Sequence, residues 1–311
     1  MTTIPVSVVV ITRNEAVNLP ACLASCRDFA QVVVVDSGSM DATRHLARAY
    51  GASVVDYRWG GDYPKKKQWC LESLPLDHPW ILLLDADERI SPPLAAEIAA
   101  LMRQGPEGPG CNGYFIRGQY CFLGRVLRWG MQNCKLALLH RHRAGFTAFP
   151  DQGLFGSGEV EMHYQPWIEA GAVATLRHSL LHDAARPLHK WFARHNAYSD
   201  WEAALRVAGL KAARCQDVTA WRRLLKWMIQ TLPGQPFLVF FYSYVLKLGF
   251  LDGMAGFHFA VARGFYAWQV AVKTADAVRR ASSLPSPSSP CAESRFGCKV
   301  EDGRNRFADG G

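Results

Sequence analysis

Repeats, paired cysteines and long apolar runs are all missing from the 311-residue sequence. No block recurs at the length that solenoids or propellers require, and the 26 Gly and 17 Pro follow no collagen-like period. The nine cysteines include no Cys-x-x-Cys pair, and several lie inside apolar segments. This predicts reduced core thiols in a cytosolic redox environment. Repeat architectures are excluded.

A targeting segment or a membrane-spanning helix is not expected either. The first residues contain neither a basic segment nor a small-residue cleavage site, so no secretory signal is predicted. The apolar run at residues 237–251 has 15 residues and contains Lys247, whereas a spanning helix needs roughly 20 apolar residues. The chain is 49% hydrophobic and only 20% charged, which excludes a disordered protein and predicts one large domain, or a domain with an appendage.

The net charge of +8 is concentrated in one third of the chain. Residues 186–280 contain 14 Lys and Arg against 5 Asp and Glu, and they also hold five of the ten Trp. Basic and aromatic side chains together predict an anionic, partly apolar partner. We expect an anionic membrane surface and no nucleic acid, although nucleic acid competes as an explanation of the charge alone.

The N-terminal third alternates β-branched runs with amphipathic stretches, which predicts a parallel sheet built from βα units. Its strongest runs are apolar almost throughout, as expected for strands buried on both faces. The predicted strands are residues 7–12, 31–36, 53–56 and 80–85, followed by 113–116, 136–140 and a strand pair between 160 and 182. The predicted helices between them are residues 14–27, 41–50 and 92–102.

From residue 187 the pattern becomes helical, and its most apolar part allows two interpretations. Residues 237–251 and their basic, Trp-containing flanks suit helices lying in the lipid headgroup region, or a helical hairpin buried against the preceding domain. The Pro- and Ser-rich tail is predicted to be disordered. The predicted helices are residues 188–207, 218–231, 237–251 and 256–280.

Polar motifs follow the predicted strands at the edge of the sheet where open α/β sheets bind ligands. Asp36 is placed to accept hydrogen bonds from a base or ribose, and Gly38 lets the backbone approach a ligand closely. The motifs are Thr12-Arg13-Asn14-Glu15, Asp36-Ser37-Gly38-Ser39, Lys65-Lys66-Lys67-Gln68 and Asp85-Ala86-Asp87.

The Asp85-Ala86-Asp87 motif ends a purely apolar strand, so two carboxylates emerge where core packing requires none. Hard oxygen ligands of this kind suit Mg²⁺ or Mn²⁺ bridging to a diphosphate. The alternative is that Asp87 and Glu88 only begin a turn and cap the helix that starts at Pro92.

The order of these motifs resembles the family 2 glycosyltransferases of GT-A fold. The resemblance rests on Thr-x-Asn-Glu after the first strand, Val-Val-Asp-Ser-Gly-Ser after the second and Leu-Asp-Ala-Asp-Glu after the fourth, and it covers roughly residues 5–275. Within the family it is most similar to bacterial lipopolysaccharide-core β-1,4-glucosyltransferases and related exopolysaccharide enzymes. The resemblance implies an α/β fold, with a Rossmann-like mixed sheet flanked by helices, and a basic, aromatic, membrane-associating helical appendage.

The resemblance also implies a division of the chain and roles for its residues. The divisions are a nucleotide-sugar-binding catalytic domain at residues 1–185, a helical membrane-interfacial region at 186–280 and a disordered tail at 281–311. Asp85 would orient the ribose or sugar, and Asp87 would bind the metal with His182, whose alternative role is simply to close a strand. The implied nucleotide-binding residues are Thr12, Asn14, Glu15, Asp36, Ser37 and Lys67.

An inverting transferase needs a carboxylate that deprotonates the acceptor hydroxyl. On a strand, Glu159, Glu161 and His163 share one face, and we select Glu161 as the base, with Asp151 and Asp183 as substitutes. The alternative is an ordinary solvated strand face.

Two further segments bear on the acceptor and the membrane. The segment after Phe122-Leu123-Gly124 is either an acceptor subsite, with a ring that stacks on a sugar, or a surface loop. A later helix is expected to pack or to face the membrane and to take no part in catalysis. The acceptor candidates are Arg128, Trp129, Gln132 and Lys135, and the helix carries His189, Trp191, Arg194, His195 and Trp201.

The expected function is transfer of a sugar from a nucleotide-diphosphate donor, UDP-glucose or similar, to a lipid-linked or lipopolysaccharide-core glycan. The cofactor is Mg²⁺ or Mn²⁺, and the location is the cytoplasmic face of the bacterial inner membrane. A polyprenyl-phosphate sugar transferase is the alternative enzyme, and a catalytically inactive membrane- or nucleic-acid-binding protein is the alternative outside enzymes.

Overall fold

Four parallel strands form the first half of the sheet in a computed structural model of the chain. The structure describes residues 3–104, 110–148, 158–161, 165–169, 171–183, 187–210 and 234–283. Each predicted strand is confirmed, and the first two begin a few residues early. The strands are β1 (Ile4–Thr12), β2 (Phe29–Asp36), β3 (Ser53–Asp56) and β4 (Trp80–Asp85). The helices between and after them are α1 (Leu19–Ser25), α2 (Thr43–Ala49), α3 (Lys66–Ser73) and α4 (Pro92–Met102).

Two of these helices differ from their predictions. The first begins at Leu19 and not at residue 14, because Asn14 has a left-handed backbone with φ of 54°. The short helix α3 is not among the predicted helices, because its apolar residues show almost no helical periodicity. The bounds of α4 are as predicted. Its cap is Ser91, whose hydroxyl accepts from the Leu94 amide, so the alternative capping role for Asp87 is wrong.

The second half of the sheet is mixed. In order across the sheet the strands are β3-β2-β1-β4-β8-β6-β11-β5, with β7 beside β6. The β4–β8, β8–β6 and β11–β5 pairs are antiparallel, whereas β6 and β11 are parallel. The ranges are β5 (Glu88–Ile90), β6 (Cys111–Phe122), β7 (Arg125–Val126), β8 (Asn133–His140), β9 (Ala144–Gly145), β10 (Trp167–Ile168) and β11 (Ala172–His182).

The strand pair expected between residues 160 and 182 is wrong in its pairing. The two strands there, β10 and β11, do not pair with each other: β10 pairs with β9, and β11 lies between β6 and β5. Residues 158–161 form no strand, because Glu159 and Glu161 bind the first turn of α3 instead.

The sheet is buried on both faces, as the apolar strand runs predict. Val8 and Val10 belong to a cluster with Leu19 of α1 and Ile98 of α4. Val9, on the opposite face, belongs to a second cluster that includes Leu71 of α3. The expected architecture of a mixed sheet flanked by helices is confirmed, and the carboxyl ends of β1, β2 and β4 are left at one edge.

The C-terminal helices pack on β6 through an aromatic cluster. Phe122 contacts Trp191 and Phe259, with ring centroids 5.5 Å apart in both pairs, and Tyr120 lies 5.2 Å from Phe259. Trp201 is buried as well, so the packing role expected for this helix is confirmed. The elements are α5 (Leu188–Val207), α6 (Gln235–Phe241), a π-helical turn (Tyr242–Leu246), a 3-10 turn (Gly249–Asp252) and α7 (Gly253–Ser283).

The apolar run predicted as one helix at residues 237–251 is broken instead. Leu248 has a left-handed backbone with φ of 58°, and a Cβ on Gly256 would lie 2.0 Å from the Gly249 carbonyl oxygen. In the described residues no single helix has the length and apolar composition to cross a membrane, although one bent pair, Gln235–Leu246 with Gly249–Ser282, meets both criteria together across a 73° bend.

Some predictions fall outside the described residues or stay untested. The helix at residues 218–231, the candidate base Asp151 and the residue His163 lie outside them, as does the tail beyond residue 283. The division of the chain at residues 185 and 280 stays a prediction, and α7 continues three residues past the second of these boundaries.

Phe259 is predicted to be the main anchor of α7. Phe259→Ala removes a side chain that is 4% exposed, and it should lower the free energy of unfolding by about 3–5 kcal/mol because a cavity remains. Urea denaturation measures this. Phe265→Ala on the same helix, where the side chain is 46% exposed, is the control and should change stability by about 0.5 kcal/mol or less. Equal effects of the two substitutions would contradict the packing described.

Candidate functional site

The first two strands end in a buried hydrogen-bond network. Thr12 lies opposite Asp36 in the parallel register, and its hydroxyl donates to Asp36 Oδ1 over 3.1 Å. The amide of Ser39 donates to Asp36 Oδ2 over 2.9 Å, and the Ser39 hydroxyl donates to Oδ1. Asp36 is 0% exposed, so its carboxylate fixes the loop that follows β2.

Asn14 and Glu15 join this loop to the end of β1. The Asn14 side-chain oxygen accepts from the Met40 amide over 2.8 Å, and the Asn14 amide donates to Ser39 Oγ over 2.8 Å. Glu15 donates its amide to Thr43 and accepts from Asn18 through its carboxylate. Four of the six residues assigned to the nucleotide therefore hold the loops after β1 and β2 together. They are Thr12, Asn14, Glu15 and Asp36.

Ser37 differs from these residues in having an unused polar atom. Its hydroxyl oxygen is buried and has no hydrogen-bond partner in the part of the chain that the structure describes. A buried hydroxyl without a partner is costly. Ser37 directly follows β2, and its amide donates to the Thr12 carbonyl at the end of β1 over 3.1 Å. It therefore lies at the carboxyl edge of the sheet, next to the β1–β4 pair where the strand order reverses and α/β sheets bind nucleotides. A polar ligand atom at this position would satisfy it.

Three carboxylates converge after β4, and one lysine binds two of them. Lys135 Nζ lies 3.3 Å from Asp85 Oδ2 and also contacts Glu88 Oε2. Although burial opposes ionisation, the positive charges of Lys135, Lys67 and His182 outweigh it and hold the pKa of Asp85 well below its usual range. Lys135 therefore lies with the carboxylates that follow β4, and its role in an acceptor subsite stays a prediction.

Asp87 has less positive charge near it than its neighbours have. Its Oδ2 atom lies 3.5 Å from Arg194 Nη1 and 3.8 Å from His182 Nε2. Burial, together with the charges of Asp85 and Glu88, raises the pKa of Asp87 above its usual value despite the opposing charges of His182 and Arg194. A buried carboxylate in this state favours the arrival of a cation.

The sheet register brings His182 to this cluster from almost a hundred residues away. His182 lies opposite Glu88 in the antiparallel pair of β11 and β5, and opposite Tyr120 in the parallel pair of β11 and β6. Burial opposes its protonation, but its interaction with Glu88 and the charges of Asp87 and Asp85 raise the pKa of His182 to about 8. The imidazole is thus drawn toward the carboxylates.

The residues present fit a divalent ion as an incomplete protein site. Among the described residues no three His, Cys, Asp or Glu side chains are placed to hold a metal, but Asp87 and His182 face each other across 3.8 Å. Mg²⁺ sites with one or two protein ligands take the others from water and substrate phosphates, and imidazole in its neutral form is acceptable to Mn²⁺. The predicted pair is therefore brought together.

Glu161 lies at a different place from the one its predicted strand would give it. Its two carboxylate oxygens accept from the backbone amides of Lys67 and Gln68 over 2.7 and 2.9 Å. Lys66 holds the same segment through a 2.8 Å ion pair with Glu159 and a backbone bond to the Glu159 carbonyl. Glu161 therefore caps α3 from a distant segment. Its role as a base stays a prediction.

Sequence reasoning missed two residues of the site, Glu88 and Arg194. Glu88 is buried, and it accepts from the Asp85 amide over 3.0 Å as well as from Lys135. The signal for it was present, because a third acidic residue follows Asp85-Ala86-Asp87 directly. Arg194 was expected only to pack or to face the membrane, and no local pattern links α5 to Asp87.

Comparison with known proteins finds a family similarity in the part of the chain that contains the first four strands. Residues 7–154 match the family described as glycosyl transferase family 2. Over this segment, just under half of the chain, the sequence is similar to that family. The lipopolysaccharide core biosynthesis glycosyltransferase LpsC of Rhizobium meliloti (strain 1021) is 34% identical over 109 residues, which cover 33% of this chain and 39% of that protein.

Other similar proteins extend the comparison without identifying a substrate. An uncharacterized glycosyltransferase of Rickettsia prowazekii, RP128, is 36% identical over 30% of this chain and 31% of its own length. The chain thus spans less than half of the length of the curated relatives it matches. The structure of the mannosyltransferase PcManGT from Pyrobaculum calidifontis, in complex with GDP-Man and Mn²⁺, is 15% identical over 87% of each chain, with a TM-score of 0.46.

Glu161 is predicted to stabilise the fold as a cap of helix α3. Glu161→Ala leaves two α3 amides without their acceptor and should lower the free energy of unfolding by about 1–2 kcal/mol. Thermal or urea denaturation measures this. Glu169→Ala removes an exposed carboxylate as the matched control and should have no measurable effect. An unchanged stability of the Glu161 variant would show that the cap contributes nothing.

Proposed function

We propose that this protein transfers a sugar, with inversion at the anomeric carbon, from a nucleotide-diphosphate donor to a lipid-linked or lipopolysaccharide-core acceptor. UDP-glucose is the first donor to test. The observation that carries the proposal is the facing of Asp87 and His182 across 3.8 Å at the end of β4. Ser37, whose buried hydroxyl has no partner among the described residues, follows a parallel strand at the same carboxyl edge of the sheet.

The residues of this edge have separate tasks in the proposed reaction. Asp87 and His182 would hold Mg²⁺ or Mn²⁺, and the bound ion would neutralise charge on the departing diphosphate. Asp85, kept ionised by Lys135, would accept hydrogen bonds from the donor ribose or sugar. Ser37 would donate its free hydroxyl to the nucleotide, and Lys67 would contact a phosphate or the base. Catalysis would come mainly from alignment and charge stabilisation.

The proposed location is the cytoplasmic face of the bacterial inner membrane. The basic and Trp-rich composition of residues 186–280 supports an anionic surface as partner. The name of the Rhizobium relative, a lipopolysaccharide core biosynthesis glycosyltransferase, supports an acceptor built on a lipid. A donor that is charged and water-soluble would reach the site from the cytosol.

Asp87 tests the metal assignment. Asp87→Asn should abolish the release of UDP from UDP-glucose in the presence of Mn²⁺, because the amide keeps the shape of the side chain and loses its charge. The measurement is UDP release together with the shift in melting temperature on adding UDP and Mn²⁺, since ligand binding stabilises the folded state.

Controls for this experiment separate the site from the fold. Asp77→Asn replaces an exposed aspartate and should leave both readings unchanged. Normal turnover in the Asp87 variant would refute the metal assignment. If UDP-glucose gives no Mn²⁺-dependent shift in the wild type, the same assay with GDP- and dTDP-sugars decides between another donor and a domain that binds none.

Glu161→Gln tests the base independently of the cap. As the base, Glu161 should contribute about a hundredfold or more to kcat, whereas a cap alone predicts a small loss of stability and a near-normal kcat. Asp183→Asn is the parallel variant, because Asp183 is the substitute base and pairs with Arg89 over 2.8 Å. A wild-type kcat in the Gln variant would remove Glu161 from the mechanism.

A further inference from the structure

Four successive backbone amides of the loop after β7 donate hydrogen bonds to residues 241–252, which we name the bent segment. The amides of Arg128 and Trp129 donate to the two oxygens of Asp252 over 3.1 and 2.8 Å. The next two amides donate to the Lys247 carbonyl over 2.8 Å and to Ser243 Oγ over 3.3 Å. We name residues 128–131 the clasped loop.

Two of the three residues that hold the clasped loop are buried. These are Asp252 and Ser243, and hydrogen bonds that a carboxylate accepts from backbone amides are stronger than neutral ones. Gly130 turns the loop with φ of 78° and packs against Ser243 and Gly249. The clasped loop and the bent segment are therefore joined as one unit although they lie more than 100 residues apart in sequence.

The outer side of the bent segment is apolar and open. Leu246 is 60% exposed and Phe250 is 45% exposed. A contiguous group of this kind is typical of an interaction surface on a soluble domain. The loop side adds Leu123, Val126 and Trp129, which are also exposed. The members of the bent segment that are exposed and apolar are Phe241, Val245, Leu246, Leu248, Phe250 and Leu251.

The charge around these residues is of one sign. Residues 111–148 contain no Asp or Glu, and the only acidic residue of residues 234–275 is Asp252, which is buried under the clasped loop. Arg125, Arg128 and Lys247 are exposed. An apolar centre with a basic rim, formed by two described stretches that expose no carboxylate, is complementary to an anionic lipid surface.

We infer that the bent segment, residues 241–252, together with the clasped loop, is the face on which the protein meets an anionic bilayer. Asp252 and Ser243 hold the loop against that face, so Arg128 and Trp129 lie at the lipid surface as positioning residues for the acceptor. Arg128 suits an acidic or phosphorylated group and Trp129 a sugar ring. The role of Arg128 and Trp129 toward an acceptor rests on the proposed function. The membrane contact of this face rests on the contacts, exposure and charge described above.

Vesicle binding tests the face itself. Leu246→Ser with Phe250→Ser should reduce binding to vesicles of phosphatidylcholine and phosphatidylglycerol by about tenfold or more, measured by sedimentation at low salt. Tyr50→Ser, an exposed aromatic residue at the end of α2, is the matched control and should bind like the wild type. Wild-type binding by the double variant would overturn the inference, and equal binding to pure phosphatidylcholine would overturn its electrostatic part.

Quenching by brominated lipid tests the position of the clasped loop. Vesicles that contain dibrominated lipid should quench the fluorescence of the wild type more than that of Trp129→Phe. In the Asp252→Asn background the Trp129 contribution should fall, while vesicle binding stays within about twofold, because the apolar face is intact. Equal quenching of the wild type and Trp129→Phe would show that the loop does not face the lipid.

Two further measurements keep these outcomes distinct. If Asp252→Asn does not fold, Ser243→Ala takes its place, because it removes one hydrogen bond to the clasped loop. A partial loss of Trp129 quenching is then expected. Unchanged quenching would contradict the role of these bonds in holding the loop. The shift in melting temperature with UDP and Mn²⁺ should be the same in the double variant and the wild type. Its absence from the wild type would count against the proposed donor, whereas the vesicle results decide the membrane face.

Discussion

The whole site depends on the ammonium group of Lys135. It contacts both Asp85 and Glu88 and so allows three carboxylates to share the end of one strand. Because those two residues share its charge, the cations that face Asp87 among the described residues are the more distant Arg194 and His182. Two acidic residues are thus paired closely with a lysine and the third more weakly, which is the division that the proposed metal site needs.

Many of the strands and site residues could be predicted from local sequence, whereas the position of the others depends on strand pairing across the sheet. The strands could be predicted because burial on both faces requires apolar runs, and Asp85 and Asp87 because they interrupt such a run. His182 could be assigned only through the family resemblance. Its place beside Asp87 follows from the pairing of β11 with the three-residue strand β5, which no periodicity reveals.

The strand predicted at Glu159 and Glu161 is wrong for a specific physical reason. Alternate acidic residues imitate the solvated face of a strand, but Glu159 and Glu161 instead reach α3, where the first turn offers free amides. The apolar residues of α3 have a weak helical periodicity, and the helix takes its cap from a segment about 95 residues later. Neither segment alone therefore predicts the contact between them. Long-range capping of this kind can be found only once both segments are placed.

The basic residues after residue 186 serve at least two purposes that composition alone cannot separate, because some contact the candidate site and others join the helices. Arg194 of α5 faces Asp87, while Lys273 of α7 binds Asp200 and Ser199 of α5. Removing α7 would uncover the aromatic cluster around Phe122 and disturb α5 together with the site. Truncation would thus confuse membrane binding with folding, and only single exposed side chains can separate them, because they change the surface without touching that cluster.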